Sequence, residues 1–134
     1  QIWIVTSSQS PWASLDRVTP EDFLQMPLLV SSRTASKNFD FTAWSQGKVT
    51  PDKIHAIGRF DLLGNASLLV RTGCTNLISL NTFFQEGTPG LKFIPLDPPL
   101  FTTSVVAWKK FRLLSRSSQV FLDRLKQKLS DFSH

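Results

Sequence analysis

Short apolar runs alternate with stretches of helical periodicity along this chain, and each change of period marks a change of element. Residues 2–6 (IWIVT) read as a short buried strand, and the polar stretch from Ser7 to Arg17, which holds Pro11, reads as loop. Thr19-Pro20-Glu21-Asp22 is a helix start: threonine caps, proline takes the first helical position, and an acid stands three residues past the cap. The helix ends near Met26-Pro27, because proline disfavours helical geometry in the residue before it. PLLVSS then predicts an apolar strand and SSRTASKN a loop. Residues 39–46 (FDFTAWSQ) predict a helix with Phe39, Ala43 and Trp44 inward.

Gln46 to Lys53 is a turn-rich connector, and the alternation over residues 53–60 favours a strand. A helix follows from Asp61 or Gly64, with Leu62, Ala66, Leu69 and Val70 on one face and Gly73 as its left-handed stop. NLISL, LKFIPL and TSVVAWK predict three further strands. In the closing helix Phe121, Leu125, Leu129 and Phe132 recur at helical spacing, with Ser115 as N-cap. Strands alternating with helices imply an α/β fold with a mixed, mostly parallel sheet and right-handed crossovers. Ligands bind such sheets outside the carboxyl ends of the strands. That rule selects Thr6, then Ser31, Ser32 and Arg33, then Phe60 and Asp61.

Composition narrows the class. At 134 residues and 41% hydrophobic, the chain is long and apolar enough for one globular domain. No apolar run approaches the roughly 20 residues that cross a bilayer. Gln1 reads as a cut end, which makes the chain an excised fragment or a processed product. The net charge of +5 is uneven: from Lys109 onward seven basic side chains face two acidic ones, enough for the whole excess. WKKFR (108–112) interleaves aromatic and basic residues, but no helix-turn-helix pattern accompanies it, so these charges read as a strand end and a solvated helix face. The single Cys74 excludes an intrachain disulfide, fits a reducing compartment and reads as a buried packing residue.

Catalytic and metal chemistry find little support. His55, His134 and Cys74 lack the spacing of a zinc site, and neither a G-x-S-x-G elbow nor a phosphate-binding glycine motif occurs. No cofactor is expected. The cluster Ser31-Ser32-Arg33 is the best binding candidate: two hydroxyls, backbone amides and a guanidinium at a strand end could hold a small anion or carboxylate. An ordinary polar loop, with Ser36 or Asn38 capping the next helix, is the competing reading.

Four stretches in this order, VTPEDFLQMPLLVSSR, IGRFDLLGNASLLVRTGCTNLISL, LKFIPLDPPL and VVAWKKFRLLSRSSQVFLDRLKQKL, carry a family resemblance. The chain resembles the C-terminal part of the effector-binding domain of LysR-type transcriptional regulators, over nearly all of residues 2–130. The resemblance implies a periplasmic-binding-protein-like (type 2) fold of two lobes joined by two crossover strands, with a small effector in the cleft. Carried onto this chain, residues near 2–6 and 92–97 are the crossover strands. Residues 1–98 then form the second lobe with its crossovers, and 99–134 return as a strand and helix to a first lobe otherwise not included. The cleft-lining positions fall on Thr6, Ser31, Ser32, Arg33, Phe60 and Asp61.

The resemblance further implies a cytoplasmic, non-enzymatic sensor. DNA binding belongs to a winged helix-turn-helix outside these residues. The tail's apolar positions, Val105, Ala107, Phe121 and Leu125, need cover, which predicts a homodimer or higher homo-oligomer. A lobe of an extracytoplasmic solute-binding protein is the alternative, and a small hydrolase using His55 comes third.

Overall fold

A computed structural model describes residues 1–32, 39–80, 87–103, 105–110 and 112–132. They fall into two compact units, Gln1–Thr103 and Ser104–His134. In the first unit β1 (Ile2–Ser7) leads through a short 3-10 turn (Pro11–Ser14) to α1 (Pro20–Gln25) and β2 (Leu28–Ser31). There follow α2 (Phe41–Trp44), β3 (Ala56–Phe60), α3 (Leu63–Arg71), β4 (Asn76–Leu80) and β5 (Leu91–Pro95). The five strands form one mixed sheet in the order β3-β2-β4-β1-β5. β2 runs parallel to both β3 and β4, whereas β1 runs antiparallel to both β4 and β5.

Local chemistry sets the helix ends. Thr19 accepts the Asp22 N–H at 3.2 Å while the Asp22 carboxylate accepts the Thr19 N–H at 3.1 Å, and Pro20 follows the cap. Two orphan donors are thereby satisfied at once. α2 lasts one turn: Asp40 caps it by accepting the Ala43 N–H at 2.9 Å, and Gln46 and Gly47 leave it with φ of 54° and 85°. Gly73, with φ 81°, provides the expected left-handed exit after α3.

Side-chain alternation along the strands feeds a separate core on each face of the sheet. Ile2, Ile4, Leu28, Ile78 and Ile94 pack with Phe23 and Met26 from the α1 segment and with Trp44. Val5, Leu29, Leu77 and Leu91 pack with Ala66 and Val70 of α3. Phe23 anchors the first core, its ring centroid 5.1 Å from Phe41 and 5.5 Å from Trp44. On α3 the buried face is Ala66 and Val70, with Leu63 half-buried, while Leu62 and Leu69 are exposed. The helix begins one residue after Leu62, which shifts the apolar stripe from the expected set.

Several expectations are corrected. The strand anticipated at 53–60 starts only at Ala56, because residues 51–53 form a turn. Cys74 is exposed, since the turn after α3 lifts it off the sheet. In the second unit α4 (Arg116–Phe132) forms as expected, with the Ser115 hydroxyl accepting the Ser118 N–H at 3.2 Å. The strand anticipated at 103–109 is absent among the described residues, for no neighbouring strand takes up its backbone groups. Val105 and Phe121 stay exposed, at 83% and 68%, and Trp108 is exposed with Lys126 Nζ 4.9 Å from its ring centroid.

Truncating Phe23 to alanine should lower the unfolding free energy by about 3–5 kcal/mol. Thr19→Ala should cost about 1 kcal/mol through the lost cap. Urea unfolding followed by circular dichroism measures both.

Candidate functional site

Parallel pairing of β2 with β3 brings two strand ends to the same edge of the fold. Ser31 is in register with Phe60, and the Ser32 N–H donates to the Phe60 carbonyl at 2.9 Å, carrying the pairing one residue past β2. The Ser32 hydroxyl lies 2.9 Å from the same carbonyl oxygen and also bonds Asp61 Oδ1. Four of the anticipated residues, Ser31, Ser32, Phe60 and Asp61, are thus brought together. Arg33 lies outside the described residues.

These four differ in character. Phe60 is half-buried and packs against the α3-side core. Ser31 is half-buried, whereas Ser32 and Asp61 are exposed. Asp61 sits immediately before Leu62, the N-cap of α3, whose side chain makes no capping bond. A carboxylate there is favoured by the positive end of the helix dipole. Both the backbone and hydroxyl donors of Ser32 are already engaged by β3, which removes two of the donors that the sequence offered to an anion.

Thr6 is not part of this group. Val5 pairs with Leu77, and Leu77 pairs with Leu29, so the register sets Thr6 level with Leu28 rather than with Ser31. It lies three residues, roughly 10 Å, away along the strand axis and two strands across. The strand-end rule fails for Thr6 because β1 runs the opposite way. Its carboxyl end points to the far end of the sheet, where Thr6 is fully buried and its hydroxyl has no protein hydrogen-bond partner.

The reversal puts other residues where Thr6 was expected. The amino end of β1 and the segment after β5 share the edge with Ser31, and the Ile2 N–H donates to the Leu100 carbonyl at 2.8 Å. The Trp44 indole N–H donates to the Pro98 carbonyl, tying α2 to that segment. A hollow of about 240 Å3 there is lined by Gln1, Arg17, Leu96 and Asp97, with Arg17 and Asp97 3.7 Å apart. A larger hollow of about 350 Å3, walled by Phe39, Phe41, Pro51 and Ile54, lies beside the segment leading into β3, away from its carboxyl end. No local signal in IWIVT marks the direction of β1, because an apolar run looks alike in either sense. Among the described residues no three His, Cys, Asp or Glu side chains come close enough to hold a metal, and no helix is long and apolar enough to cross a membrane.

Residues 1–130 match the family described as LysR substrate binding domain. The chain belongs to this family. Solved structures agree on the fold. HinK, a LysR family transcriptional regulator from Pseudomonas aeruginosa, superposes with a TM-score of 0.71 at 17% identity, over 96% of this chain and 44% of HinK. The CcmR regulatory domain of Synechocystis, solved in complex with 2-PG, gives 0.56 at 14% identity, over 92% of this chain and 60% of that domain. The reduced OxyR regulatory domain from Pseudomonas aeruginosa gives 0.51 at 14% identity, over 74% of this chain and 47% of that domain. No curated protein matches. The chain spans less than half the length of HinK. The fold is the periplasmic-binding-protein-like fold of LysR regulatory domains, whose family binds small-molecule effectors, and the match favours that reading over a transporter's solute-binding lobe.

Replacing the orphaned Thr6 hydroxyl with a methyl group tests its placement. Thr6→Val should hold or raise stability, by up to about 1 kcal/mol, because it removes an unpaired buried polar group. A clear loss in urea unfolding would mean that the hydroxyl is bonded.

Proposed function

We propose that this LysR-family chain supplies one wall of an effector site, and that in a longer protein ligand binding at this wall biases how a winged helix-turn-helix holds DNA. Residues 1–98 act as the second lobe with its crossover strands, and 99–134 return to the first lobe. The chain senses rather than catalyses, in the cytoplasm. The observation that carries the reading is the convergence of Ser31, Ser32, Phe60 and Asp61 at the carboxyl ends of parallel strands, in a family that binds small molecules. Arg33, next in sequence, is the group that would hold an anionic or carboxylate effector.

The test uses a complete effector domain containing this chain. Its cognate metabolite at about 100 times Kd should add about 2.7 kcal/mol of stability, read as a rise in unfolding midpoint. Arg33→Ala should reduce that rise and Thr6→Val should leave it intact. The opposite pattern would move the site to the far end of the sheet.

Self-association is part of the same proposal. Val105, Leu113, Phe121 and Phe132 leave a large apolar surface on the second unit. Phe121→Asp should lower the weight-average sedimentation coefficient, and an unchanged value would exclude this surface as the contact.

A further inference from the structure

The corner made by Ser32 and Asp61 defines the kind of group it can receive, given the effector site proposed above. Ser32 has one backbone hydrogen and one hydroxyl hydrogen to donate. The first is held by the Phe60 carbonyl at 2.9 Å. The second lies between that carbonyl oxygen, at 2.9 Å, and Asp61 Oδ1. Whichever oxygen takes it, the hydrogen stays within the protein, and Ser32 offers a ligand only lone pairs.

Asp61 adds acceptors and a negative charge. It is exposed, and among the described residues no Lys or Arg pairs with it. With Oδ1 engaged by Ser32, Oδ2 has no partner among the described residues and can accept from outside. A bare carboxylate brought against Asp61 would meet a like charge, and it would find both Ser32 hydrogens already taken. An ammonium or hydroxyl would meet complementary acceptors, with charge-assisted strength at Asp61.

We infer that the effector presents a hydrogen-bond donor, a protonated amine or a hydroxyl, to Asp61 Oδ2 and Ser32 Oγ, so that an anionic group alone does not satisfy this corner. Asp61 is then a specificity-determining residue. It rejects simple acids and selects those that also carry a donor.

Three probes on one three-carbon frame test this: propionate without a donor, lactate with a hydroxyl and alanine with an ammonium. Each is titrated into the nitrogen-15-labelled chain at about 0.15 M salt, which screens the basic second unit. The amides of Ser32, Asp61 and Leu62 should respond about tenfold more tightly to alanine or lactate than to propionate. The better of the two identifies the donor. Asp61→Ala should bring that probe to the level of propionate, whereas Ser32→Ala should retain most of the preference because it leaves the carboxylate in place. Equal binding of all three probes at these amides, or an Asp61→Ala variant that keeps the preference, would overturn the donor requirement and leave the site standing. Shifts confined to other amides, or no saturable shift at all, would remove the site and this inference with it.

Discussion

The antiparallel passage of β1 between β4 and β5 decides which end of the sheet can hold a ligand. It joins the parallel group β3-β2-β4 to β5 and contributes buried side chains to both cores, with Ile2 and Ile4 on one face and Val5 on the other. Because β1 enters from the edge that carries the carboxyl ends of β2 and β3, and β5 returns to that edge, both connections outside the parallel group open there. The far end is closed instead by buried polar groups, Thr6, Thr75 and Asn76 among them.

Two devices hold the parallel group to this frame. At the far end the Pro27 carbonyl accepts the Asn76 N–H at 2.9 Å and the Asn76 side-chain amide at 3.2 Å, fixing where β2 begins against β4. At the near end Ser32 reaches across to Phe60 and Asp61. Between them the β2–β3 register shifts at Leu28/Leu29, where Gly58 gives Leu29 room: a Cβ on Gly58 would come within 3.1 Å of Leu29 Cδ2. The strand ends are therefore set by bonds that do not depend on a ligand.

Where a residue's own chemistry determines local geometry, the sequence was readable. The Thr19 capping box, the apolar runs of β2 and β4 and the Gly73 exit each rest on neighbours within a few positions. The junction of Ser31 and Ser32 with Phe60 and Asp61 is long-range but was readable from topology, since parallel strands place their carboxyl ends together. Thr6 was misplaced because strand direction depends on partners some seventy residues away, and an alternating apolar run looks alike in either direction. The strand expected at 103–109 fails for a related reason: its apolar residues suit a sheet, but no strand among the described residues accepts its backbone. The engagement of the Ser32 donors was invisible for the same cause, being a contact with residues 28 and 29 positions away.

The pairing of Ile2 with Leu80, and of Trp3 with Pro95, also sets an order of events during synthesis. Among the five strands of this sheet, β1 is made first and its partners β4 and β5 last. At about 5–20 residues per second, the apolar stretch IWIVT waits on the order of several seconds for β4 and then β5 to emerge. Through that interval neither strand that flanks β1 in this sheet exists, which leaves its backbone groups open to pairing with a neighbouring chain until they are covered.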